Sequence, residues 1–246
     1  MNTSASLSNL IICSGEYLLR AINLPPYKVF RQDTNITSGP VFGGRSGVIK
    51  RNNTDYYHSF YERERMNIDL KKKIIKKAID FINSNEKIIL DTGTTTYYMA
   101  QEIAKTDKVI TVATTSWAVA NTLYKSNTKV LVLGGFLRKD VPVLVGPLTE
   151  KYLMNFHADK LFIGCDGIIV DQGLYISDLY LSSIEEKMIH KADTVILVTD
   201  SSKFGRKSFI KYGTIVDIDR IITDDNLDFG IGDQIRKLQT LIIRCL

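Results

Sequence analysis

The sequence predicts an α/β fold with a mainly parallel open sheet and helices on both of its faces. Apolar runs without alternation, such as residues 88–90, are typical of strands that are buried on both faces. Stretches with helical periodicity separate these runs, so strands and helices alternate along the chain. Most of the predicted strands are followed by Asp, Gly, Ser or Thr, the residues that form turns where a strand leaves a sheet.

Composition narrows the class of protein. The chain has 246 residues, of which 44% are apolar and 24% are charged, as in a globular protein with one large domain and a small appendage. No apolar run approaches the ~18 residues of a membrane helix, and the first residues do not resemble a signal peptide. We therefore expect a cytoplasmic protein without a membrane partner. The net charge of +5 permits a nucleic-acid partner but does not establish one.

The three cysteines give no sign of a metal or redox site. Cys13, Cys165 and Cys245 are odd in number and far apart in the sequence. Neither a disulfide framework nor a zinc site has this spacing. The sequence accordingly predicts no bound metal and no cofactor.

Residues 1–41 form a poorly defined N-terminal segment. Residues 7–21 have helical character, but Pro25 and Pro26 end that helix and residues 34–39 are typical of a loop. No helix-turn-helix pattern is present. We interpret this segment as a remnant or disrupted winged helix, residues 42–66 as the end of a wing and a helical linker, and residues 67–246 as the main domain.

The main domain begins with a predicted helix that Asn67 caps. Its apolar positions recur with the period of an amphipathic helix, namely Leu70, Ile74, Ile75, Ala78, Ile79 and Ile82. Five lysines occupy the other positions: Lys71, Lys72, Lys73, Lys76 and Lys77. A solvated helix face explains such a charge run better than a nucleic-acid patch, although the patch stays an alternative.

Residues 87–104 predict a strand, a turn and a helix, and this is the most informative stretch. Asp91 ends the strand, Gly93 permits a tight turn, and hydroxyl residues surround the predicted start of the helix. The N–H groups at a helix start suit an anion, above all a phosphate. The alternative is a threonine-rich helix cap without a ligand.

The remaining predicted strands and helices also alternate along the chain. Strands are predicted at residues 108–114, 129–133, 160–165, 194–199, 220–223 and 240–244, and helices at residues 117–124, 149–156 and 182–192. Because the carboxyl ends of parallel strands share one edge, five polar turns are expected to converge there. The candidate effector-binding residues are Asp91, Gly93, Thr94, Thr95, Thr96, Thr115, Ser116, Gly134, Gly135, Asp166, Gly167, Asp200 and Lys203.

This set of residues fits a phosphorylated polyol. Main-chain N–H groups and Lys203 would bind the phosphate, and Asp91 and Asp166 would bind hydroxyl groups. Any one of the turns is explained by ordinary turn chemistry, but five together favour a binding site.

Six motifs occur in the order of a known family, and together they resemble the sensor domain of DeoR-family transcriptional regulators. They are Asp91-Thr-Gly-Thr-Thr, Leu133-Gly-Gly, Leu144-Val-Gly-Pro-Leu, Ala158-Asp-Lys-Leu-Phe-Ile-Gly-Cys-Asp-Gly-Ile, Asp200-Ser-Ser-Lys-Phe-Gly-Arg and Ile222-Thr-Asp-Asp-Asn-Leu. The resemblance covers about residue 42 to the C-terminus. It implies a fold like that of ribose-5-phosphate isomerase and glucosamine-6-phosphate deaminase.

The resemblance also implies a function. Members are mostly repressors of sugar-use operons, with a DNA-binding winged helix and a domain that senses a sugar phosphate. A sugar-phosphate effector, operator DNA and a homo-oligomer are therefore expected, and no catalytic residue. Since residues 1–41 lack the helix-turn-helix pattern, this chain is predicted to bind DNA without sequence specificity.

The chain departs from the family pattern at several positions. Phe42-Gly-Gly-Arg stands where the family has His-Gly-Gly-Ala, Thr115 where it has Asn, and Leu181 and Glu185 where it has Glu and Lys. Two other functions stay open: an isomerase or deaminase of the same fold, with Asp166, Glu185 and Lys187 as candidate catalytic groups, and a sensor domain without DNA-binding activity.

Overall fold

The structure, a computed structural model, describes residues 59–245 of the chain. A seven-stranded parallel sheet lies at the centre of this region. The predictions for residues 1–58, namely the N-terminal segment, the wing and the DNA-binding part, lie outside the described residues. Within residues 59–245, none of the helices has the length and apolar character needed to cross a membrane.

Seven α-helices and two 3₁₀ turns are present in the described residues. The helices are α1 (Phe60–Arg65), α2 (Ile68–Ile79), α3 (Thr94–Ile103), α4 (Trp117–Leu123), α5 (Pro147–Leu153), α6 (Leu179–Ile189) and α7 (Phe229–Lys237), and the 3₁₀ turns are Ser201–Lys203 and Ile215–Asp217. Helix α7 was not predicted from the sequence.

The strands of the main sheet are β1 (Lys87–Leu90), β2 (Thr111–Thr114), β3 (Lys129–Val132), β6 (Ala158–Ile163), β9 (Ala192–Val198), β11 (Arg220–Asp224) and β12 (Leu241–Cys245). Two small sheets contain β4 (Phe136–Leu137) with β5 (Leu144–Val145), and β7 (Gly167–Ile169) with β8 (Gly173–Ile176) and β10 (Ile210–Gly213). The order in the main sheet is β12-β11-β9-β6-β1-β2-β3, and every pairing is parallel.

Alternate strand residues pack into two separate cores, one on each face of the sheet. In β1, Ile88 and Leu90 join the core that contains the buried side chains of α2, α3 and α4. Ile89, between them, joins the other core, where Leu181 and Met188 of α6 are buried. Ile88, Ile89 and Leu90 are each at most 1% exposed. The predicted fold class, a parallel sheet covered by helices on both faces, is therefore confirmed.

The small sheets were not predicted, and their strands are only two to four residues long. They change the role of Gly167, which the sequence places in a turn after a strand. Strand β6 ends earlier, at Ile163, and Gly167 begins β7, paired with Tyr175 of β8. A Cβ on Gly167 would lie 2.5 Å from the carbonyl oxygen of Arg206. The segment around Arg206 leaves no room for a side chain at this position, so glycine is required there.

Helix α2 follows Asn67 as predicted, but the Asn67 side chain does not cap it. Asn67 has a φ of +51°, a left-handed conformation that asparagine tolerates. Its Nδ2 donates hydrogen bonds to Asp200 Oδ1 at 3.3 Å and to Ser202 Oγ at 3.4 Å. The predicted capping bond is thus replaced by contacts with the loop after β9.

Candidate functional site

A cleft lies at the carboxyl ends of β1, β6 and β9. After β1 the chain adds β2 and β3 on one side, and it then returns to place β6 on the other side. Such a reversal of strand order opens a crevice between two loops, where open α/β sheets bind ligands. The cleft encloses about 660 Å³, including the part that is open to solvent.

The cleft brings together some of the predicted residues and leaves others outside. Those that line it are Asp91, Gly93, Thr94, Thr95, Asp166, Asp200 and Lys203. Those that do not are Thr96, Thr115, Ser116, Gly134, Gly135 and Gly167. For Thr115, Ser116, Gly134 and Gly135 the division follows the strand order, because β9, β6 and β1 are neighbours at the centre, whereas β2 and β3 continue to one edge.

The residues outside the cleft make structural contacts. Thr96 is fully buried, and its Oγ1 donates to the carbonyl oxygens of Asp91 at 2.9 Å and Gly93 at 2.8 Å. Ser116 Oγ caps α4 by accepting a hydrogen bond from Val119 N at 3.2 Å. Thr115 is buried beside it, and its main-chain oxygen accepts from Leu144 N at 2.8 Å. None of these three side chains lines the cleft.

The start of α3 presents main-chain donors to the cleft. Gly93 occupies the cap position and has no side chain to accept from the first turn. The first main-chain bond of the helix is from Tyr97 N to Gly93 O, so the N–H groups of Thr94, Thr95 and Thr96 precede it and have no acceptor within the helix. The partial positive charge of a helix start adds to these donors. This part of the cleft is suited to an anion.

Two buried carboxyl groups form the floor of the cleft. Asp91 and Glu185 are each 2% exposed and hydrogen-bonded to each other. Burial raises the pKa of Asp91, and burial together with the charges of Asp91 and Asp166 raises the pKa of Glu185 well above its usual value. Both shifts favour a proton on this pair of carboxyl groups, and Asp91 also accepts a hydrogen bond from Gly164 N at 3.1 Å. Glu185 Oε2 is buried without a hydrogen-bond partner among the described residues.

Asp166 is an ionised carboxylate beside an arginine of the linker helix α1. Arg63 Nη1 lies 2.7 Å from Asp166 Oδ1, and Ser177 donates to Oδ2 from both its N, at 2.9 Å, and its Oγ, at 2.5 Å. Burial alone would raise the pKa of Asp166, but Arg63 and the two bonds from Ser177 hold it below its usual value. The sequence places Arg63 in the helical linker and does not indicate its contact with the site.

Lys71 also lines the cleft, which corrects its placement on a solvated helix face. Lys71 is 5% exposed, whereas Lys72, Lys73, Lys76 and Lys77 are exposed as predicted. Its Nζ donates to the carbonyl oxygen of Arg63. Burial lowers the pKa of Lys71 to about 8, against the opposing effect of Asp200.

The loop after β9 holds Lys203 at the cleft. Asp200 Oδ1 accepts from Ser202 N at 3.1 Å, and Asp224 accepts from Ser201 N at 2.7 Å and Ser201 Oγ at 2.9 Å. These bonds fix the 3₁₀ turn that carries Lys203. Within residues 59–245, Lys203 Nζ makes neither a hydrogen bond nor an ion pair, so its charge is available to a ligand.

The three groups that the sequence nominates for catalysis are not assembled at one place. Lys187 does not line the cleft, and its Nζ pairs with Glu150 Oε2 at 3.1 Å and with Ser183 Oγ at 2.7 Å.

Cys165 lines the cleft, but burial raises the pKa of its thiol to about 12. Among residues 59–245, no group of three or more His, Cys, Asp or Glu side chains is arranged to hold a metal ion.

Named relatives of this chain are transcriptional regulators. The uncharacterized HTH-type transcriptional regulator YulB of Bacillus subtilis is 37% identical over 170 residues, which are 69% of this chain and 65% of that protein. The putative aga operon transcriptional repressor of Escherichia coli O157:H7 is 32% identical over 75% of this chain and 69% of its own length. The L-fucose operon activator of Haemophilus influenzae is 30% identical over 81% of both chains.

Among solved structures, ribose 5-phosphate isomerase A of Methanocaldococcus jannaschii is similar with a TM-score of 0.42 and 18% identity, over 56% of this chain and 55% of that one. The model of the DeoR C-terminal sensor domain matches residues 66–225, which include β1, β6, β9 and the loops that line the cleft. The chain therefore belongs to the DeoR family through this sensor domain.

Proposed function

We propose that this chain is a DeoR-family transcriptional regulator of sugar metabolism whose sensor domain binds a phosphorylated sugar in the cleft. The observation that carries the proposal is that an uncapped helix start and an unpaired lysine, Lys203, line the same cleft as the carboxyl groups of Asp91 and Glu185. The names of the relatives, among them an L-fucose operon activator and an aga operon repressor, support the regulatory part.

The phosphate would bind at the start of α3. The N–H groups of Thr94 and Thr95 would donate to its oxygens, and Lys203 would add a charge-assisted hydrogen bond. The hydroxyl groups of the sugar would face the carboxyl floor. There Asp91 accepts hydrogen bonds, and Glu185 Oε2 has no hydrogen-bond partner within residues 59–245, so it could bind a hydroxyl group of the sugar. The cleft thus offers donors for a phosphate and acceptors for hydroxyl groups.

Phosphorylated sugars are expected to raise the melting temperature of the full chain, and their unphosphorylated forms are not. At ~100-fold excess over Kd, binding stabilises a protein by about 2.7 kcal/mol. For a domain of this size that corresponds to roughly 5–10 °C. Glucose 6-phosphate with glucose, and fructose 1-phosphate with fructose, are matched pairs for thermal denaturation. Equal shifts within each pair would contradict the phosphate site.

Replacing Lys203 with alanine is expected to weaken sugar-phosphate binding by roughly 1.5–3 kcal/mol, because a charge-assisted hydrogen bond is lost. The fold should persist, since Lys203 is partly exposed and leaves no cavity. Lys207, exposed in the same connection, is the matched control, and Lys207→Ala should bind as the wild type does. Isothermal calorimetry measures both variants. Equal affinities for the two would remove Lys203 from the site.

The geometry favours binding over isomerase or deaminase chemistry. A general base must be deprotonated at the working pH and close to the carbon that loses a proton. The raised pKa of Glu185 favours its protonated form, and Asp166 is committed to Arg63 and Ser177. Since Lys187 lies outside the cleft, the three nominated groups do not form a catalytic set there.

Operator DNA and a homo-oligomeric state are further partners that membership of the family predicts. The DNA-binding part would fall in residues 1–58, outside the described region. Both partners stay predictions, as does the expectation that this chain binds DNA without sequence specificity.

A further inference from the structure

The linker helix α1 is held in place by the sensor domain. A helix of six residues is not stable by itself in water. Phe60 is buried, and its ring packs edge-to-face on Tyr97 of α3 with centroids 5.8 Å apart. Tyr98, next on α3, donates from its hydroxyl to the carbonyl oxygen of Glu64 at 3.4 Å. The order of α1 therefore depends on its contacts with the helix whose start faces the cleft.

The end of α1 is attached to charged groups of the cleft itself. Arg63 pairs with Asp166, and Lys71 donates to the carbonyl oxygen of Arg63. Asn67, at the corner between α1 and α2, donates to Asp200 and Ser202. Arg63, Asn67 and Lys71 all line the cleft. A ligand in the cleft can therefore contact the corner between α1 and α2.

Arg63 has an unused donor. A guanidinium group offers five N–H donors in a rigid fork. Nη1 of Arg63 binds Asp166, but its Nε is buried and has no acceptor in residues 59–245. An unsatisfied buried donor is costly, so an acceptor that reached Nε would be bound favourably. A phosphate oxygen in the cleft would supply that acceptor without displacing Asp166 from Nη1.

We propose that a phosphorylated ligand binds Arg63 together with Lys71 and Lys203 and thereby fastens α1 to the sensor domain, so that occupancy of the cleft is transmitted to the preceding segment of the chain. This inference rests on the proposed function. The three cations meet at the ligand only when α1 is docked, so the ligand has a higher affinity for the docked state. That difference in affinity is what shifts the equilibrium.

Hydrogen exchange followed by mass spectrometry tests the coupling on the full chain, with inorganic phosphate as the probe and sodium chloride of equal ionic strength as the reference. In α1 the amides of Arg63 and Met66 are hydrogen-bonded to Ser59 O and Arg63 O. If α1 undocks only when the site is empty, phosphate at ten times its Kd should slow their exchange roughly tenfold. Peptides from α7, away from the cleft, should not change.

Arg63→Gln and Arg65→Gln form a matched pair on α1, because Arg65 is exposed and does not line the cleft. Arg63→Gln should abolish the slowing of exchange in α1, whereas Arg65→Gln should retain it. Arg63→Lys keeps the charge but loses the fork, and it should retain only part of the effect. It also keeps the coupling testable if the glutamine variant fails to fold.

The outcomes separate this inference from the proposed function. Slower exchange at the start of α3 with unchanged or faster exchange in α1 would overturn the coupling and leave the binding site intact. Unchanged exchange at both helices, together with no thermal shift from any sugar phosphate, would overturn both. Slower exchange in α1 that survives Arg63→Gln would overturn the role of Arg63.

Discussion

Replacing Lys71 with methionine is expected to stabilise the ligand-free protein and to weaken its affinity for phosphate. Lys71 is 5% exposed, and burial lowers its pKa to about 8. Its charge at neutral pH therefore costs folding free energy, and methionine fills similar space without a charge. We expect a gain of about 1–3 kcal/mol at pH 7. Loss of the cation should weaken phosphate binding roughly 10- to 100-fold.

The pH dependence has a definite sign. The unfolded chain binds the Lys71 proton with the ordinary pKa of 10.5, and the folded chain binds it more weakly, at about 8. The stabilisation by Lys71→Met is therefore full below about pH 8 and disappears as the pH rises toward 10.5. In the wild type, phosphate affinity should fall above pH 8 as Lys71 loses its proton, and in the variant this fall should be absent.

Chemical denaturation and calorimetry at pH 7 and pH 9.5 measure the two effects. Lys72→Met is the control, because Lys72 is the exposed neighbour on the same helix. It should change neither stability nor affinity by more than about 0.5 kcal/mol. Two results would contradict the view that the protein retains the buried charge of Lys71 for its ligand. One is that Lys71→Met destabilises the free protein, and the other is that this variant binds phosphate as tightly as Lys72→Met does.

The position of Lys71 could have been predicted from the sequence. It lies three, four and seven residues before Ile74, Ile75 and Ala78, so it falls on the buried stripe of α2 rather than opposite it. A lysine in phase with such a stripe indicates a buried cation that needs a partner. Counting it with four exposed lysines concealed that signal. The periodicity was sufficient to place the helix but was not applied to the charged residue.

The sequence correctly predicts polar turns at the ends of the strands, but it does not show which of these turns meet at the cleft. Local patterns identify each strand, yet the strand order in a sheet depends on long-range pairing that no local pattern contains. Neighbouring strands lie about 4.8 Å apart, so the end of β3, two strands beyond β1, is roughly 10 Å further from the cleft centre. Only the turns after β1, β6 and β9 meet there.

Contacts between distant residues were beyond prediction for the same reason. Arg63 and Asp166 are 103 residues apart in the sequence, and neither residue type distinguishes a buried ion pair from exposed charges. Glu185 was noted as a departure from the family, but its pairing with Asp91 required the packing of α6 on the sheet. The polar turn residues could be identified from the sequence, whereas the long-range pairing of the helix residues Arg63 and Glu185 could not.

Replacing Gly135 with alanine is expected to destabilise the protein by about 3 kcal/mol or more. Gly135 has a φ of +154°, which side chains rarely adopt. An added Cβ would lie 2.1 Å from Thr149 Oγ1 and 2.6 Å from the carbonyl oxygen of Val145. Neither atom can move freely. Thr149 Oγ1 donates to Gly134 O at 2.6 Å, and Val145 pairs with Phe136 in the small β4–β5 sheet. Strain and overpacking each cost roughly 1–3 kcal/mol.

Gly134 provides the adjacent control, because a Cβ there would meet no heavy atom within 4 Å. Gly134→Ala should lose less than about 1 kcal/mol, a difference that urea unfolding resolves at an unchanged m-value. The sequence proposed both glycines as places where the backbone approaches a ligand. That role predicts the opposite result for Gly135→Ala, namely a stable protein with weakened sugar-phosphate binding. Measuring stability and affinity on the same two variants distinguishes a glycine that the fold requires from one that the ligand requires.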